Sequence, residues 1–376
     1  MKKILFTTGT RADYGKLKSI IIKLQKEKKF YTGVFVTGMH NISFFGATFA
    51  EIKKDKIKNI FRFYNQKPND DMDTILSKTI TGFKKYVKKI SPDLIVVHGD
   101  RVEALACAIV GSLNNIKVVH IEGGEVSGTV DELIRHSVTK LSHIHMVTNN
   151  LAKRRLIQMG EKPNSIFVIG SPDVDIILSK NIPTLLKVKK RYAINFDRYS
   201  VALFHPVTTE LGNLKKEVNI FIQSLIQSKR NYVLIYPNND MGSKVILGAY
   251  KKLHNNKKIR ILPSMRFEYY LSLLKQSDFI IGNSSSGIME APYYGVPTIN
   301  LGNRQTNRAK LKSIKNCTFS KPKILKLIKQ SLKTNRFHKT FHFGKGKSYQ
   351  KFETILKNKK IWKLGNQKNF TEIKIK

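Results

Sequence analysis

The sequence predicts an α/β protein made of two doubly wound domains in tandem. Short apolar runs alternate with longer amphipathic stretches, the signature of βαβ units around parallel sheets buried on both faces. The rhythm pauses in a polar segment at 170–183 and then restarts with elements of the same size and kind. The residues capable of chemistry gather where predicted strands end, the edge at which such sheets bind ligands. Two such domains facing each other would enclose a deep cleft.

In the first half, Ile4–Phe6 reads as a strand and 7–11 as a loop. Tyr14–Lys28 reads as a helix, with Leu17, Ile20, Ile21 and Leu24 at helical spacing. Tyr31–Thr37 is a strand, Asp73–Ile90 a long helix, and Leu94–His98 a continuous apolar strand after Pro92. Glu103–Asn115, Asp131–Leu141 and Leu151–Met159 read as helices, interleaved with strands Lys117–Ile121, Ile144–Thr148 and Ser165–Ile169. In the second half, strands are expected at Tyr199–Phe204, Asn231–Tyr236, Ile259–Leu262, Phe279–Ile281 and Thr298–Leu301. Helices are expected at Asn213–Ser228, Lys244–Asn255, Phe267–Lys275 and Ser286–Tyr294, and a last amphipathic helix at Lys347–Lys363. The domains are placed at 1–172, joined by 350–376, and at 173–349.

A chain of 376 residues suits two domains, and 41% hydrophobic residues suffice for packed cores. No run approaches the ~20 apolar residues of a membrane span, and Ile4–Phe6 is too short for a secretory signal. Cys107 and Cys317 make no disulfide framework. A cytoplasmic, reduced, soluble protein is expected. The net charge of +42 is unusual, and residues 301–376 hold 22 Lys+Arg against 2 acidic residues. Nucleic acid, an anionic membrane or a phosphorylated substrate would each answer it. No aromatic-interleaved RNA motif, zinc-finger spacing or helix-turn-helix pattern accompanies it, so no specific nucleic acid is expected. Most of the charge reads as a solvated face, with a share recruited to a nucleotide diphosphate. The basic C-terminal region would suit weak association with a membrane surface.

The first strand runs into Gly9-Thr10-Arg11-Ala12-Asp13. A turn leading into a helix N-terminus suits an anion, and Arg11 adds a bidentate phosphate donor; an ordinary βα turn is the plain alternative. Asp100 in HGDR follows the LIVVH strand, and Glu122 in HIEGGE follows the next. Asp131 opens the helix DELIRH. In a chain with 26 acids against 68 cations, three carboxylates at consecutive strand ends point to acid–base work. Separate helix caps are the alternative. His143 and His145 share one face of a strand, but no third ligand stands at metal spacing; they read as structural, and no metal is expected.

In the second half, His205 follows a strand in FHP and suits binding or protonating a leaving phosphate. Gly282-Asn283-Ser284-Ser285-Ser286-Gly287 leads from a strand into a helix and reads as a phosphate cradle without a Walker lysine. Glu290, one turn on, is placed to accept from ribose hydroxyls.

Six segments in order, GTRADYGKL at 9–17, HGDR at 98–101, HIEGGE at 120–125, DELIRH at 131–136, FHPVTTE at 204–210 and GNSSSGIMEAP at 282–292, resemble the UDP-N-acetylglucosamine 2-epimerases. The narrower resemblance is to the hydrolysing branch that makes N-acetylmannosamine for bacterial sialic acid. It runs from Lys3 to about Arg308. It implies a GT-B fold of two Rossmann-like domains, a homodimer, no bound cofactor, and UDP-N-acetylglucosamine (UDP-GlcNAc) as substrate. Carried over, Asp100, Glu122 and Asp131 match the catalytic carboxylates and His205 the phosphate-side histidine. Arg11 and Lys16 match basic residues near the diphosphate, Ser284, Ser285, Ser286 and Gly287 the diphosphate loop, and Glu290 the ribose ligand. Tyr270 falls where an aromatic residue stacks on uracil, and Arg308 matches a further phosphate arginine. Non-hydrolysing relatives resemble GTRPE in the first loop and carry Gly-Gln-His-Arg at an activating site. Here the loop is GTRAD, and the later segment is Gly38-Met39-His40-Asn41. Met39 and Asn41 lack the needed groups, which favours hydrolysis.

The resemblance implies loss of UDP with the C2 proton leaving in the anti sense, giving 2-acetamidoglucal. Water then adds at C1 and a proton returns to C2. Asp100 is expected as base or cation stabiliser, with Glu122 and Asp131 handling the water and the returning proton. Three alternatives stand beside this reading. They are the same chemistry on a UDP-2,4-diacetamido-trideoxyhexose or on GDP-GlcNAc in legionaminic acid synthesis, a GT-B glycosyltransferase, and a nucleic-acid-binding protein.

Overall fold

The computed structural model describes residues 1–43, 48–67, 70–238 and 240–373. They form two compact units. The first comprises Met1–Glu125, Asp131–Leu178 and His342–Lys376; the second comprises Ser179–Phe341 together with Val126–Val130. The divisions therefore fall after 178 and 341, where the sequence placed them after 172 and 349.

The first unit holds a seven-stranded sheet. Its strands are β1 (Lys2–Thr8), β2 (Phe30–Val36), β3 (Asn59–Arg62), β4 (Leu94–His98), β5 (Lys117–Ile121), β6 (Ile144–Val147) and β7 (Ile166–Val168). They are parallel in the order β3-β2-β1-β4-β5-β6-β7. The order reverses between β1 and β4, and loops leaving neighbouring strands there part to opposite faces, opening a crevice at their carboxyl ends. The helix Arg11–Leu24 turns Tyr14, Leu17, Ile20, Ile21 and Leu24 inward. Burial of each such aliphatic side chain contributes roughly 1.5–3 kcal/mol.

The last helix, Ser348–Lys357, completes this unit's core. Phe352 and Leu356 are buried in it, and the Phe352 ring lies 6.0 Å from that of Phe6. Lys347 gives the helix no side-chain cap. Asp175 supplies one instead, its carboxylate accepting from the backbone N–H of Ser348 (2.9 Å) and of Tyr349 (3.0 Å).

The second unit repeats the plan with six strands. They are β8 (Ser200–Leu203), β9 (Tyr232–Ile235), β10 (Ile259–Leu262), β11 (Ile280–Gly282), β12 (Thr298–Leu301) and β13 (Ile314–Cys317). All pairings are parallel in the order β10-β9-β8-β11-β12-β13, with the reversal between β8 and β11.

Several elements depart from the sequence reading. The edge strands β3 and β13 and the helices Phe49–Lys54, Leu185–Tyr192 and Lys321–Lys333 were not anticipated. Edge strands are half solvated, so Asn59–Arg62 and Ile314–Cys317 show no continuous apolar run. Helix Lys321–Lys333 buries Ile324 and Ile328 and leaves all five of its lysines exposed, a solvated face. The helix expected over 286–294 is a short helix, Ser286–Met289, followed by a 3-10 turn, Ala291–Tyr294. Pro292 lacks an N–H and cannot continue the α ladder. No helix among the described residues is long and apolar enough to cross a membrane.

Candidate active site

In the first unit, the turn after β1 is filled by its own sequence. Thr10 caps the helix, accepting from the Asp13 N–H at 3.2 Å. The Asp13 carboxylate accepts from the N–H groups of Gly9 (3.0 Å) and Thr10 (3.1 Å). A carboxylate of the chain thus already satisfies the Gly9 and Thr10 N–H groups of this turn, in a capping box. Arg11, expected beside a phosphate, is paired with Glu51 at 3.0 Å. Met39 and His40 lie in a 3-10 turn; His40 is buried against Thr8 and Thr48, and burial lowers its pKa to about 4.

The strand-end carboxylates resolve into two hubs. Glu122 follows β5 directly and has φ +67°, a left-handed conformation that a side chain adopts only under constraint. Its N–H donates to the Met146 carbonyl at 3.0 Å. Gly123 and Gly124 follow because a Cβ would meet His120 Nδ1 at 2.9 Å and the Ala152 carbonyl oxygen at 2.4 Å, respectively. Glu122 is buried. Its Oε2 lies 3.0 Å from Lys16 Nζ and 3.2 Å from His98 Nε2, and its Oε1 accepts from the Ser171 hydroxyl. Burial alone would push the Glu122 carboxyl up. Lys16 and His98 beside it, with the Ser171 hydroxyl, override burial and hold it well below the usual carboxylate range. Lys16, expected near the diphosphate, is here engaged with carboxylates: Asp173 Oδ2 lies 3.7 Å from the same ammonium.

The second hub is Arg135, 1% exposed, on the helix Val130–Leu141. It donates to Asp100 and, from Nη1, to the Glu125 carbonyl at 3.0 Å. Burial works against its charge; Asp100, with Glu125 and Asp131, outweighs burial and raises its pKa. The structure thus gathers Asp100 and Asp131 about one guanidinium, while Glu122 belongs to the Lys16 hub. The three histidines nearby are structural. His120 binds the Gly99 carbonyl (2.8 Å) and Thr139 (3.0 Å). His143 accepts from the Val118 N–H, and His145 binds Glu161 at 2.9 Å.

In the second unit, the residues expected to bind an anion stand at the β8/β11 reversal. His205 follows β8, and Asn283 follows β11. The Asn283 amide bonds both backbone groups of His205: Oδ1 accepts from its N–H at 2.7 Å, and Nδ2 donates to its carbonyl at 2.8 Å. His205 Nδ1 accepts from the Asn238 N–H at 3.2 Å. A neutral ring therefore carries its proton on Nε2, as a donor to an anion needs. Gly282, at φ +134°, brings its backbone so close that a Cβ would stand 1.7 Å from the Leu203 carbonyl oxygen.

Ser284 and Ser285 are partly exposed, whereas Ser286 and Gly287 are buried. Tyr270 bonds Ser286 through its hydroxyl and is itself buried, 8% exposed. Its ring offers little face for stacking; it supports the serine loop from beneath. Burial, with Glu290 nearby, pushes its pKa up, so the hydroxyl stays protonated. Glu290 is buried just past the loop. Arg308 donates to Gln305 Oε1 at 3.1 Å, while Gln305 Nε2 and Arg304 Nη1 donate to the Asn283 carbonyl at 3.2 and 3.4 Å.

A family model described as UDP-N-acetylglucosamine 2-epimerase matches residues 22–357. The chain belongs to the UDP-N-acetylglucosamine 2-epimerase family. Over 378 aligned residues this epimerase is 42% identical to a UDP-N-acetylglucosamine 2-epimerase of Neisseria meningitidis serogroup B, covering 100% of both chains. It is 32% identical to the UDP-N,N'-diacetylbacillosamine 2-epimerase (hydrolyzing) of Legionella pneumophila, covering 95% of this chain and 96% of that one. The fold of a UDP-GlcNAc 2-epimerase from Neisseria meningitidis, solved with UDP-GlcNAc bound, matches with a TM-score of 0.78 at 20% identity. That match covers 95% of this chain and 100% of the other, and the architecture is GT-B.

Sequence reasoning missed five residues that organise the epimerase's two sets of strand-end groups. His98, Arg135, Asn283 and Arg304 all stand inside segments singled out for a neighbour. Asp173 was passed over because Gly170–Pro183 reads as a linker; its signal was its place five residues after the end of β7.

Proposed function

We propose that this epimerase is of the hydrolysing kind, converting UDP-GlcNAc and water to N-acetylmannosamine and UDP in sialic acid biosynthesis. The observation that carries the reading is the buried Lys16–Glu122 pair at the end of β5, which keeps one carboxylate ionised beside a cluster of further acids. The full-length identity to the Neisseria relative supports the substrate.

In this reading the second unit holds the diphosphate. His205 donates from Nε2, the loop 284–287 supplies hydroxyl and N–H donors, and Arg304 and Arg308 supply charge. Glu290 accepts from the ribose. Donors already oriented by Asn283 and Tyr270 stabilise the charge that grows on the leaving UDP without reorganising. The C2 proton of the sugar is not acidic, so departure of UDP leads and C1 gains cationic character. Asp100, held by Arg135, faces that charge as base or stabiliser. Anti loss of the C2 proton gives 2-acetamidoglucal. Water adds at C1, and Glu122 and Asp131 handle the water and the proton returning to C2 from the opposite face. The family resemblance supports a cytoplasmic homodimer with no cofactor.

The test is proton NMR of the purified protein with UDP-GlcNAc in deuterated water. N-Acetylmannosamine carrying deuterium at C2, together with UDP, is expected. Unlabelled N-acetylglucosamine would mean simple hydrolysis and overturn the reading. The Legionella relative supports a second reading on a UDP-linked diacetamido sugar, and turnover of that sugar alone in the same tube would select it.

A further inference from the structure

Glu122 has a buried acidic neighbour to which the reading above gives no task. Asp173 opens the short helix Val174–Ile177 after β7, is 1% exposed, and makes no side-chain cap there. Its Oδ2 lies 3.7 Å from Lys16 Nζ, the ammonium that pairs with Glu122 at 3.0 Å. Ser171 stands beside both carboxylates. The single Ser171 hydroxyl proton goes to Glu122, and both Asp173 oxygens are buried without a hydrogen bond.

Lys16 carries one positive charge against two buried carboxyl groups. Two ionised carboxylates beside one permanent cation out of water, with the His98 imidazole as a further neighbour, are costly, and the arrangement is relieved when one holds a proton. The groups facing Asp173 are Lys16 from the first helix, His98 from β4, Glu122 from β5 and Asp175 from its own turn.

We propose that Asp173 is a positioning residue for the reaction, holding the one proton that it shares with Glu122 through the Ser171 hydroxyl. In one form Asp173 is the acid and Glu122 the carboxylate. In the other, the Asp173 O–H bond breaks, Ser171 takes that proton on Oγ and passes its own to Glu122, and Asp173 is left as the carboxylate. The pair keeps one proton and one negative charge throughout. In the first form Glu122 stands ready to accept a proton and in the second ready to donate one, and the relay between the two forms itself moves no net charge into or out of the buried site. The two groups are pushed in opposite directions, Glu122 down and Asp173 up, with burial the largest influence on Asp173. Carboxyl groups split in this way are the pattern of acid–base pairs.

The inference rests on the epimerase reading for its role, but its proton is visible without turnover. Infrared difference spectra at neutral pH should show a protonated carboxyl C=O band in the wild type. The band should be lost in Asp173→Asn and shifted in frequency in Ser171→Ala, which keeps both acids and removes the relay. With UDP-GlcNAc, both variants should lose about a hundredfold in kcat, with KM and UDP affinity unchanged. A wild type without the band, a band that survives Asp173→Asn unchanged, or full kcat in both variants would overturn the proposal. A band that behaves as expected in a protein that leaves UDP-GlcNAc untouched would uphold the shared proton and reject the epimerase substrate.

Discussion

Arg135 donates to Asp100 from a position thirty-five residues further along the chain, and it does so while fully buried. The same guanidinium holds the Glu125 carbonyl at 3.0 Å, so one planar group fixes the carboxylate at the end of β4 and the loop after β5.

Replacing the fork by an ammonium should break that double hold. Arg135→Lys keeps the charge but offers no fixed bidentate geometry. Misplacing a catalytic carboxylate by about 1 Å costs on the order of a hundredfold. We expect kcat/KM for UDP-GlcNAc to fall by about that factor, and Asp100→Asn to abolish turnover with UDP affinity by calorimetry nearly intact. Strong residual activity in Asp100→Asn would remove Asp100 from the chemistry.

Asn283 should matter to UDP binding although it need not touch the nucleotide. It bonds both backbone groups of His205 and offers its carbonyl to Arg304 and Gln305. Asn283→Ala leaves buried backbone groups of His205 unsatisfied, at about 1–3 kcal/mol. UDP affinity should drop about tenfold or more, measured by titration calorimetry, while unchanged affinity would mean that His205 is held by other contacts.

Gly282→Ala should damage the second unit's fold. The new methyl would stand 1.7 Å from the Leu203 carbonyl oxygen at φ +134°, so β8 and β11 must part locally. A loss of about 3 kcal/mol or more is expected in urea unfolding. A midpoint within error of wild type would show that the turn relaxes freely.

Acid should weaken the first unit through Glu161. Burial would raise this carboxyl, but the hydrogen bond from His145 and the Lys368 ammonium at 2.6 Å lower it to about 2. A carboxyl depressed in the folded state adds stability that is fully present above its unfolded value, about 4.3. That stability is lost as pH falls towards about 2. Urea midpoints of the wild type should therefore fall between pH 5 and pH 2.5 more than those of Glu161→Gln. Parallel curves would assign the acid loss elsewhere.

Legibility from sequence followed burial. LIVVH at β4 is buried at every position and was read to its exact ends. Asn59–Arg62 and Ile314–Cys317 lie on sheet edges, where half-solvated residues blur the pattern, and were missed. Asp100, Glu122 and Asp131 drew notice because acids are rare in this chain. Their grouping was not legible, because Lys16 lies 106 residues from Glu122 and Arg135 lies 35 from Asp100, so only the fold brings these cations to the carboxylates they sort. Asp173 illustrates the limit most plainly. A lone aspartate in a polar stretch carries no mark of burial, and only the fold places it beside Lys16.

The last helix contributes Phe352 and Leu356 to a core that begins at Ile4, and this sets an order of assembly. As the chain leaves the ribosome, residues 179–341 emerge as one uninterrupted stretch, and Val126–Val130 are already out. The second unit therefore has all of its parts first. The first unit, although synthesised earlier, stays unfinished until residues 348–361 appear. Its exposed sheet face must wait through the making of an entire domain, so a chain truncated before Ser348 would leave the nascent first unit as the substrate of chaperones and proteases.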